Sequence, residues 1–310
     1  MASCSICLES TTEASGYHKQ CLRRLFGTDT LPKITLELSK LYSLAASKMA
    51  GKMSISGAQE KVSLALTDDN TNLEVVASGG QYILKPETSR FSSIPQNEQL
   101  TMRLAGLVGI ETPPFGLIQL KDDTTAYIIK RFDRLDDGTK LPVEDFCQLA
   151  EKRLSDKYDG SAELCVKVLR KYASEPLIEI QKLFRLLLFC WWSENGDMHL
   201  KNFSLIIGED GIRRLSPAYD LVCTKLVIPD DTLAMPIGGR KSKLRRDRWL
   251  NFADYCGIPQ RAAERQIAQQ IEALQPALEL VSASHLPNEK KNEYDGFITD
   301  NTNVLRETSQ

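Results

Sequence analysis

The chain changes its local pattern once along its length, and that change restricts the folds open to it. From residue 62 short apolar runs alternate with turns: Val62-Ser63-Leu64-Ala65-Leu66, then residues 73–77, then Tyr82-Ile83-Leu84. Asp68-Asp69-Asn70 and Gly79-Gly80 separate the runs, so the segment predicts an antiparallel meander. One helix pattern interrupts it at residues 97–108, with Leu100, Leu104, Leu107 and Val108 on one face. Pro113-Pro114 stops that helix, and strands are expected at 116–120 and 126–131. Beyond about residue 144 the pattern is helical. Residues 179–192 are too apolar to face water on any side and predict a buried central helix. Strands at 203–207 and 212–215 follow, then a long amphipathic helix over 260–281 carrying Ile267, Ile271, Leu274, Leu278 and Val281. Strands first and helices afterwards predict an α+β fold, with a small β-rich N-lobe and a larger helical C-lobe. The expected divisions are a small N-terminal unit at 1–28, the N-lobe at 29–135, the C-lobe at 136–286, and a loosely held polar tail at 287–310.

Composition narrows the class. Hydrophobic residues make up 42% and charged residues 26% of 310, which excludes a disordered or collagen-like chain. Lys+Arg 39 against Asp+Glu 41 leaves 39 − 41 = −2, so no global positive field points to nucleic acid. The longest apolar run, residues 186–192, is far short of the roughly 20 residues that cross a bilayer. Residues 1–8 lack the order of a signal peptide, and a cytoplasmic protein with no membrane partner is expected. Cys147, Cys165, Cys190, Cys223 and Cys256 are scattered singly among apolar stretches and predict inert buried thiols.

The chemistry concentrates in Asn195-Gly196-Asp197-Met198-His199-Leu200-Lys201-Asn202, followed by Tyr219-Asp220. Asp197 and Asn202 are separated by four residues, the D-x-x-x-x-N spacing of a phosphoryl-transfer loop. Such a loop sets a carboxylate beside an attacking hydroxyl while the amide oxygen holds Mg2+, and Asp220 can supply a second hard ligand. The bland alternative is an Asn-Gly turn with a buried Asn and a capping Asp. Upstream, Lys85 ends a strand and Glu98 opens the next helix, an arrangement that grips nucleotide phosphates. A solvated lysine and a first-turn glutamate would leave the same letters. The segment Met53-Ser54-Ile55-Ser56-Gly57-Ala58-Gln59-Glu60-Lys61 has one glycine, and its backbone N–H groups could form an anion-holding concavity or a plain polar turn.

Together these stretches, with Lys130-Arg131-Phe132-Asp133-Arg134 and Pro217-Ala218-Tyr219-Asp220, resemble HipA-family toxin kinases over about residues 50–280. The resemblance implies a bilobal, protein-kinase-like fold and ATP-dependent Ser/Thr phosphorylation. It assigns the ATP loop to Ser56, Gly57, Ala58, Gln59, Glu60 and Lys61, and the phosphate lysine to Lys85, positioned by Glu98. The hinge that meets adenine falls on Lys130, Arg131 and Phe132. The catalytic base falls on Asp197, with His199, Leu200, Lys201 and Asn202 around the phosphates, and Tyr219 and Asp220 closing the Mg2+ site. It further implies a target among aminoacyl-tRNA synthetases, a HipB-like DNA-binding antitoxin, and contact with DNA only through that partner. Too few residues precede the glycine loop for the extra N-terminal subdomain of HipA, so the chain looks like the shorter HipT branch, whose missing piece is a separate small HipS-like protein. The family autophosphorylates serine in this loop, which points to Ser54 or Ser56. A small-molecule or lipid kinase, and a pseudokinase that holds ATP as a regulatory subunit, are the rival functions.

Two features lie outside that resemblance. Cys4-x2-Cys7, ten residues, then His18-x2-Cys21 gives four soft ligands in two pairs, which suit a tetrahedral, structural Zn2+, or a knuckle that no longer binds metal. Arg240, Lys241, Lys243, Arg245, Arg246 and Arg248 place six basic residues in nine positions. They suit an acidic partner or, more simply, a solvated loop.

Overall fold

The computed structural model describes residues 2–34, 37–41, 43 and 61–307. It divides into two compact units: residues 1–100, 113–139 and 283–287 in the first, and residues 101–112, 140–282 and 288–310 in the second.

The first unit is built on a five-stranded antiparallel sheet. Its strands are β3 (Val62–Leu66), β4 (Leu73–Val75), β5 (Tyr82–Pro86), β6 (Phe115–Gln119) and β7 (Thr125–Lys130), in the order β4-β3-β5-β7-β6. The expected strands reappear with their ends shifted by a residue or two. Strand β5 lies between β3 and β7, in registers Val62↔Leu84 and Lys85↔Tyr127. Ahead of the sheet, a short hairpin of β1 (Ala2–Ser3) and β2 (Ser10–Thr11) leads to α1 (Lys19–Phe26), which Gly27 ends in the left-handed conformation that glycine adopts freely. This segment has no core of its own. Ile6, Tyr17, Leu22, Leu25 and Phe26 share one apolar cluster with Val62, Leu64, Tyr82, Leu84 and Ile128. The outer edge of β6 is also used, since Leu117 N–H donates to the Ser5 carbonyl at 2.8 Å. Helix α2 (Ile94–Leu107) starts three residues earlier than the periodicity suggests, because Pro95 suits a first turn whose N–H groups have no helical partner.

The second unit is organised around α5 (Pro176–Trp192), with Pro at its first position and Leu183, Phe184, Leu188, Phe189 and Trp192 buried, as the sequence predicts. A three-stranded sheet, order β10-β9-β8, joins β8 (Val143–Asp145), β9 (Ser204–Ile207) and β10 (Arg213–Leu215). Short α3 (Phe146–Leu149) and α4 (Ala162–Tyr172) precede α5, and α6 (Arg246–Cys256) follows the β9–β10 hairpin. The five scattered cysteines are buried and unbridged.

Two expectations fail here. The helix foreseen over 260–281 is two, α7 (Gln260–Glu272) and α8 (Leu274–Ala283). Pro276 lacks the N–H that would bond residue 272, and its ring clashes with that carbonyl, so the chain turns at Ala273. The tail expected to be loosely held is instead α9 (Asn288–Arg306), with Tyr294, Ile298, Thr302 and Leu305 wholly buried. Spaced four, four and three apart, these residues form one stripe hidden among polar neighbours. Thr302 accepts from Trp192 Nε1 at 2.8 Å, and Tyr294 bonds Thr101 at 2.9 Å.

If α9 completes the core, Ile298→Ala should cost about 2–5 kcal/mol, whereas Glu293→Ala on its exposed side should change stability by under about 0.5 kcal/mol. Urea unfolding of the two variants measures the contrast; equal, small effects would mean the helix is peripheral.

Candidate active site

The D-x-x-x-x-N loop follows directly from the end of α5. Asn195 is fully buried; its N–H bonds the Cys190 carbonyl at 2.8 Å, and its Oδ1 accepts from Asp197 N–H at 3.1 Å. Gly196 donates to Thr224 Oγ1 at 2.8 Å, and Thr224 is hydrogen-bonded to Asp231. A Cβ on Gly196 would stand 2.6 Å from the Thr232 carbonyl and run into Asp231, so close approach of two backbones demands glycine. The Asp197 carbonyl accepts from His199 N–H at 2.8 Å and from Asn202 Nδ2 at 2.9 Å. That second bond ties the two ends of the loop together and leaves the Asn202 amide oxygen as its remaining acceptor. Leu200, buried, anchors the loop through its N–H to the Lys157 carbonyl at 3.2 Å.

The carboxylate of Asp197 accepts a 2.7 Å hydrogen bond from Tyr158 Oη, while the Tyr158 ring meets His199 edge-on with centroids 4.9 Å apart. His199 is 5% exposed. Burial holds its imidazole below the ordinary histidine range, and Lys157 acts the same way; Asp197 and Asp220 both oppose them. One ring therefore feels both predicted carboxylates, which the fold has brought to one neighbourhood. His199 Nδ1 is buried with no hydrogen-bond partner among the described residues. Lys201 is bound to Asp145 at 2.6 Å. Tyr219 donates to the Lys201 carbonyl at 3.1 Å and also bonds Ser204 Oγ, and burial first, with Asp220 and Asp145 assisting, pushes its phenol well above 10. Asp220 itself is left-handed at φ 56°, a backbone state rarely held by a non-glycine residue without a reason of position.

In the first unit, Lys85 Nζ lies 2.5 Å from Glu98 Oε1, with side chains 4% and 0% exposed, and 5.5 Å from the Tyr127 ring centre. Glu98 sits in the second turn of α2, so the dipole of a helix start does not account for it. Lys130 pairs with Asp136 at 2.9 Å, and the Arg131 guanidinium is committed to Asp133, which Arg134 also holds at 2.6 Å. Burial pushes the Asp133 carboxyl up, and these two guanidiniums more than reverse it, holding it low. Phe132 is half-buried and Lys61 exposed. Ser56 to Glu60 of the expected ATP loop, and Ser54 before it, lie outside the described residues.

The sequence does not reveal Tyr158, Thr224 or Asp231, and it gives Asp133 only as part of the 130–134 stretch, with no role. Those three act through partners 7 to 39 positions away, and none falls in a motif spacing; the dense turn around Tyr158, Asp156-Lys157-Tyr158-Asp159-Gly160, is the one local signal. The donor set fits Mg·ATP. Asn202 and Asp220 offer few, hard oxygens, and the orphaned His199 nitrogen stands ready for a polar group.

Fold and site thus define a class, a mixed α/β kinase-like fold with a strand lysine, a helix glutamate and an Asp/Asn loop. The HipA-like C-terminal domain family matches residues 53–278, and the chain belongs to that family. Of its curated relatives, "Putative kinase Y4mE" of Sinorhizobium fredii is 29% identical over 279 residues, covering 85% of this chain and 66% of that one. "Putative kinase" of Haemophilus influenzae is 26% identical over 270 residues, covering 81% and 77%. The chain spans about two thirds of the length of Y4mE. Among solved structures, HipA in the Shewanella oneidensis HipA, HipB and operator DNA complex aligns with TM-score 0.69 at 22% identity, covering 83% of this chain and 66% of that one. The Helicobacter pylori proinflammatory kinase CtkA aligns with TM-score 0.57 at 11% identity, covering 83% and 92%. These likenesses establish the fold. No helix among the described residues is long and apolar enough to cross a membrane.

Gly196→Ala should lower stability by about 1–3 kcal/mol, and adding Asp231→Ala should not restore it, because the Thr232 carbonyl still blocks the new methyl. Thermal unfolding of both variants checks this; full rescue by the second substitution would contradict the backbone clash.

Proposed function

We propose that the protein is an ATP-dependent serine/threonine protein kinase of HipA type, acting as a toxin that arrests growth. The observation that carries this reading is the clasped Asp197–Asn202 loop, whose His199 feels both Asp197 and Asp220. Tyr158 occupies Oδ1 of Asp197 and leaves Oδ2 to receive the proton of a serine or threonine hydroxyl. Asn202 and Asp220 would hold Mg2+, and Lys85, steadied by Glu98, would hold the nucleotide phosphates. Bound there, Mg2+ supplies charge neutralisation at the transferring group. The chain's own contribution is positioning and electrostatic preorganisation, since phosphoryl transfer asks little covalent work of the protein.

Regulation follows from charge. A phosphate on Ser54 or Ser56 would add about −1.5 to −2 charge beside the nucleotide and weaken its binding. The relatives named as kinases, and a structural neighbour solved with HipB and operator DNA, support a toxin with a HipB-like antitoxin partner. The HipT branch, a HipS-like companion and an aminoacyl-tRNA synthetase substrate rest on motif resemblance.

Asp197→Asn and Asp220→Asn should each reduce transfer from labelled Mg·ATP by at least about 100-fold, with melting temperatures within about 2 °C of the parent. Label should appear on the chain itself, in residues 53–61, and on a protein of a cell lysate. Unchanged transfer in either variant would remove the assigned roles. Label confined to lipid or small molecules would make it a different kinase, and tight Mg·ATP binding without any transfer would make it a pseudokinase.

A further inference from the structure

We propose that Cys4, Cys7, His18 and Cys21 form a structural Zn2+ site that ties the N-terminal hairpin to the start of α1, the two elements that pack on the five-stranded sheet. The ligand atoms of all four side chains lie within 4.8 Å of one another. Cys7 Sγ is 3.3 Å and Cys21 Sγ 3.9 Å from His18 Nδ1. Zn–S bonds of about 2.3 Å and Zn–N bonds of about 2.0 Å separate tetrahedral ligand atoms by roughly 3.5–3.8 Å, so small side-chain shifts complete the tetrahedron. Cys4 and Cys7 come from the turn of the β1–β2 hairpin, while His18 and Cys21 come from the start of α1. Two rigid elements each contribute a pair.

The atoms around the ligands are arranged for metal as well. His18 Nε2 lies 3.1 Å from the Ser10 carbonyl, which can only accept, so Nε2 carries the proton and Nδ1 presents its lone pair to the three sulfurs. The His18 backbone N–H lies 3.5 Å from Cys4 Sγ. All four cation positions would be filled by protein, which leaves no open one for catalysis. Three thiolates and one imidazole favour zinc over the oxygen-seeking divalent cations.

The mechanical consequence lies in the same unit. Ser5, between the two cysteines, accepts from Leu117 N–H of β6 at 2.8 Å and from Gln99 Nε2 of α2 at 2.7 Å. A Cβ on Gly116 would stand 2.7 Å from Ile6. Tyr17 and Tyr82 bond the Leu117 and Leu25 carbonyls at 2.9 and 3.0 Å. Loss of the metal should therefore loosen the sheet that carries Lys85, independently of what the kinase site does.

Tag-free protein purified without chelator should carry about one zinc per chain by elemental analysis. Exchange for Co2+ should give the thiolate charge-transfer and visible bands of a tetrahedral site. Cys4→Ser/Cys7→Ser should hold under about a tenth of an equivalent and melt at least about 5 °C lower. Because that variant can fail to fold, the parent protein is also decisive. Less than about a tenth of an equivalent before and after Zn2+ addition, or a Cys4–Cys7 disulfide seen by mass in protein free of zinc, would overturn the site.

Discussion

Lys85 carries its charge almost wholly out of water, against Glu98, and much of the first unit is arranged so that it can. Desolvating two ions costs several kcal/mol each, and their attraction rarely returns more than that, so such a pair is poor evidence of stabilisation. What it provides is position. Strand β5 is flanked on both sides by hydrogen-bonded strands, and its register sets Lys85 opposite Tyr127, whose ring lies beneath the ammonium. Glu98, one turn into α2, fixes the other end. An ammonium held this way loses little conformational entropy when it meets a phosphate.

The helical unit obeys the same rule with Glu179. This buried acid in the first turn of α5 accepts from Leu215 N–H at 2.9 Å and from Lys182 at 2.9 Å. It thereby ties the start of the central helix to the last residue of β10. From there Ser216 N–H bonds the Ser204 carbonyl and Ala218 N–H bonds the Glu111 carbonyl, so the five residues from the strand end to Asp220 have little freedom. The other end of α5 launches Asn195 and the clasped loop. One buried helix thus sets both the loop that holds Asp197 and the return that delivers Asp220. The left-handed backbone at Asp220 is the strain that such a delivery leaves behind.

Much of this was legible because period-two and period-3.6 patterns survive wherever one side of an element is buried. The strands of the first unit agree with the pattern to within two residues, and the central helix begins three residues before it, at Pro176. The loop residues are legible because Asp197 and Asn202 keep a D-x-x-x-x-N spacing. Helix α9 escaped because four buried residues among nineteen, spread over polar ones, leave a mean hydropathy that resembles a solvated tail. Pro276 sits inside a convincing apolar stripe, yet its missing N–H alone breaks the helix. Strand β8 has three residues and exists only because β9 offers an edge. Tyr158 depends on a partner 39 positions away that tertiary packing brings to it, a kind of information that local pattern does not hold. The cysteine and histidine pairs were visible as spacing, but only geometry sets His18 Nδ1 toward the sulfurs.

The basic run at 240–248 shows why charge needs three dimensions before it is given a partner. Its residues other than Arg246 line a cavity of about 690 Å³ in the second unit, and Lys225 adds to them. The same wall carries Glu194, Asp230, Asp231, Asp247 and Glu307. Lys225 is paired with Glu194 at 3.1 Å, Arg245 lies 3.9 Å from Glu307, and Arg246 donates to the Leu305 carbonyl at 3.1 Å. Five acids interleaved with the cations cancel most of the field a polyanion would need, since binding to phosphate backbones scales with the number of charges left to neutralise. Asp231 has a second duty here, because its bond to Thr224 supports the Gly196 turn beneath Asp197. The acids of this wall thus neutralise the basic run, in keeping with a plain charged loop, and one of them, Asp231, also braces the 195–202 loop.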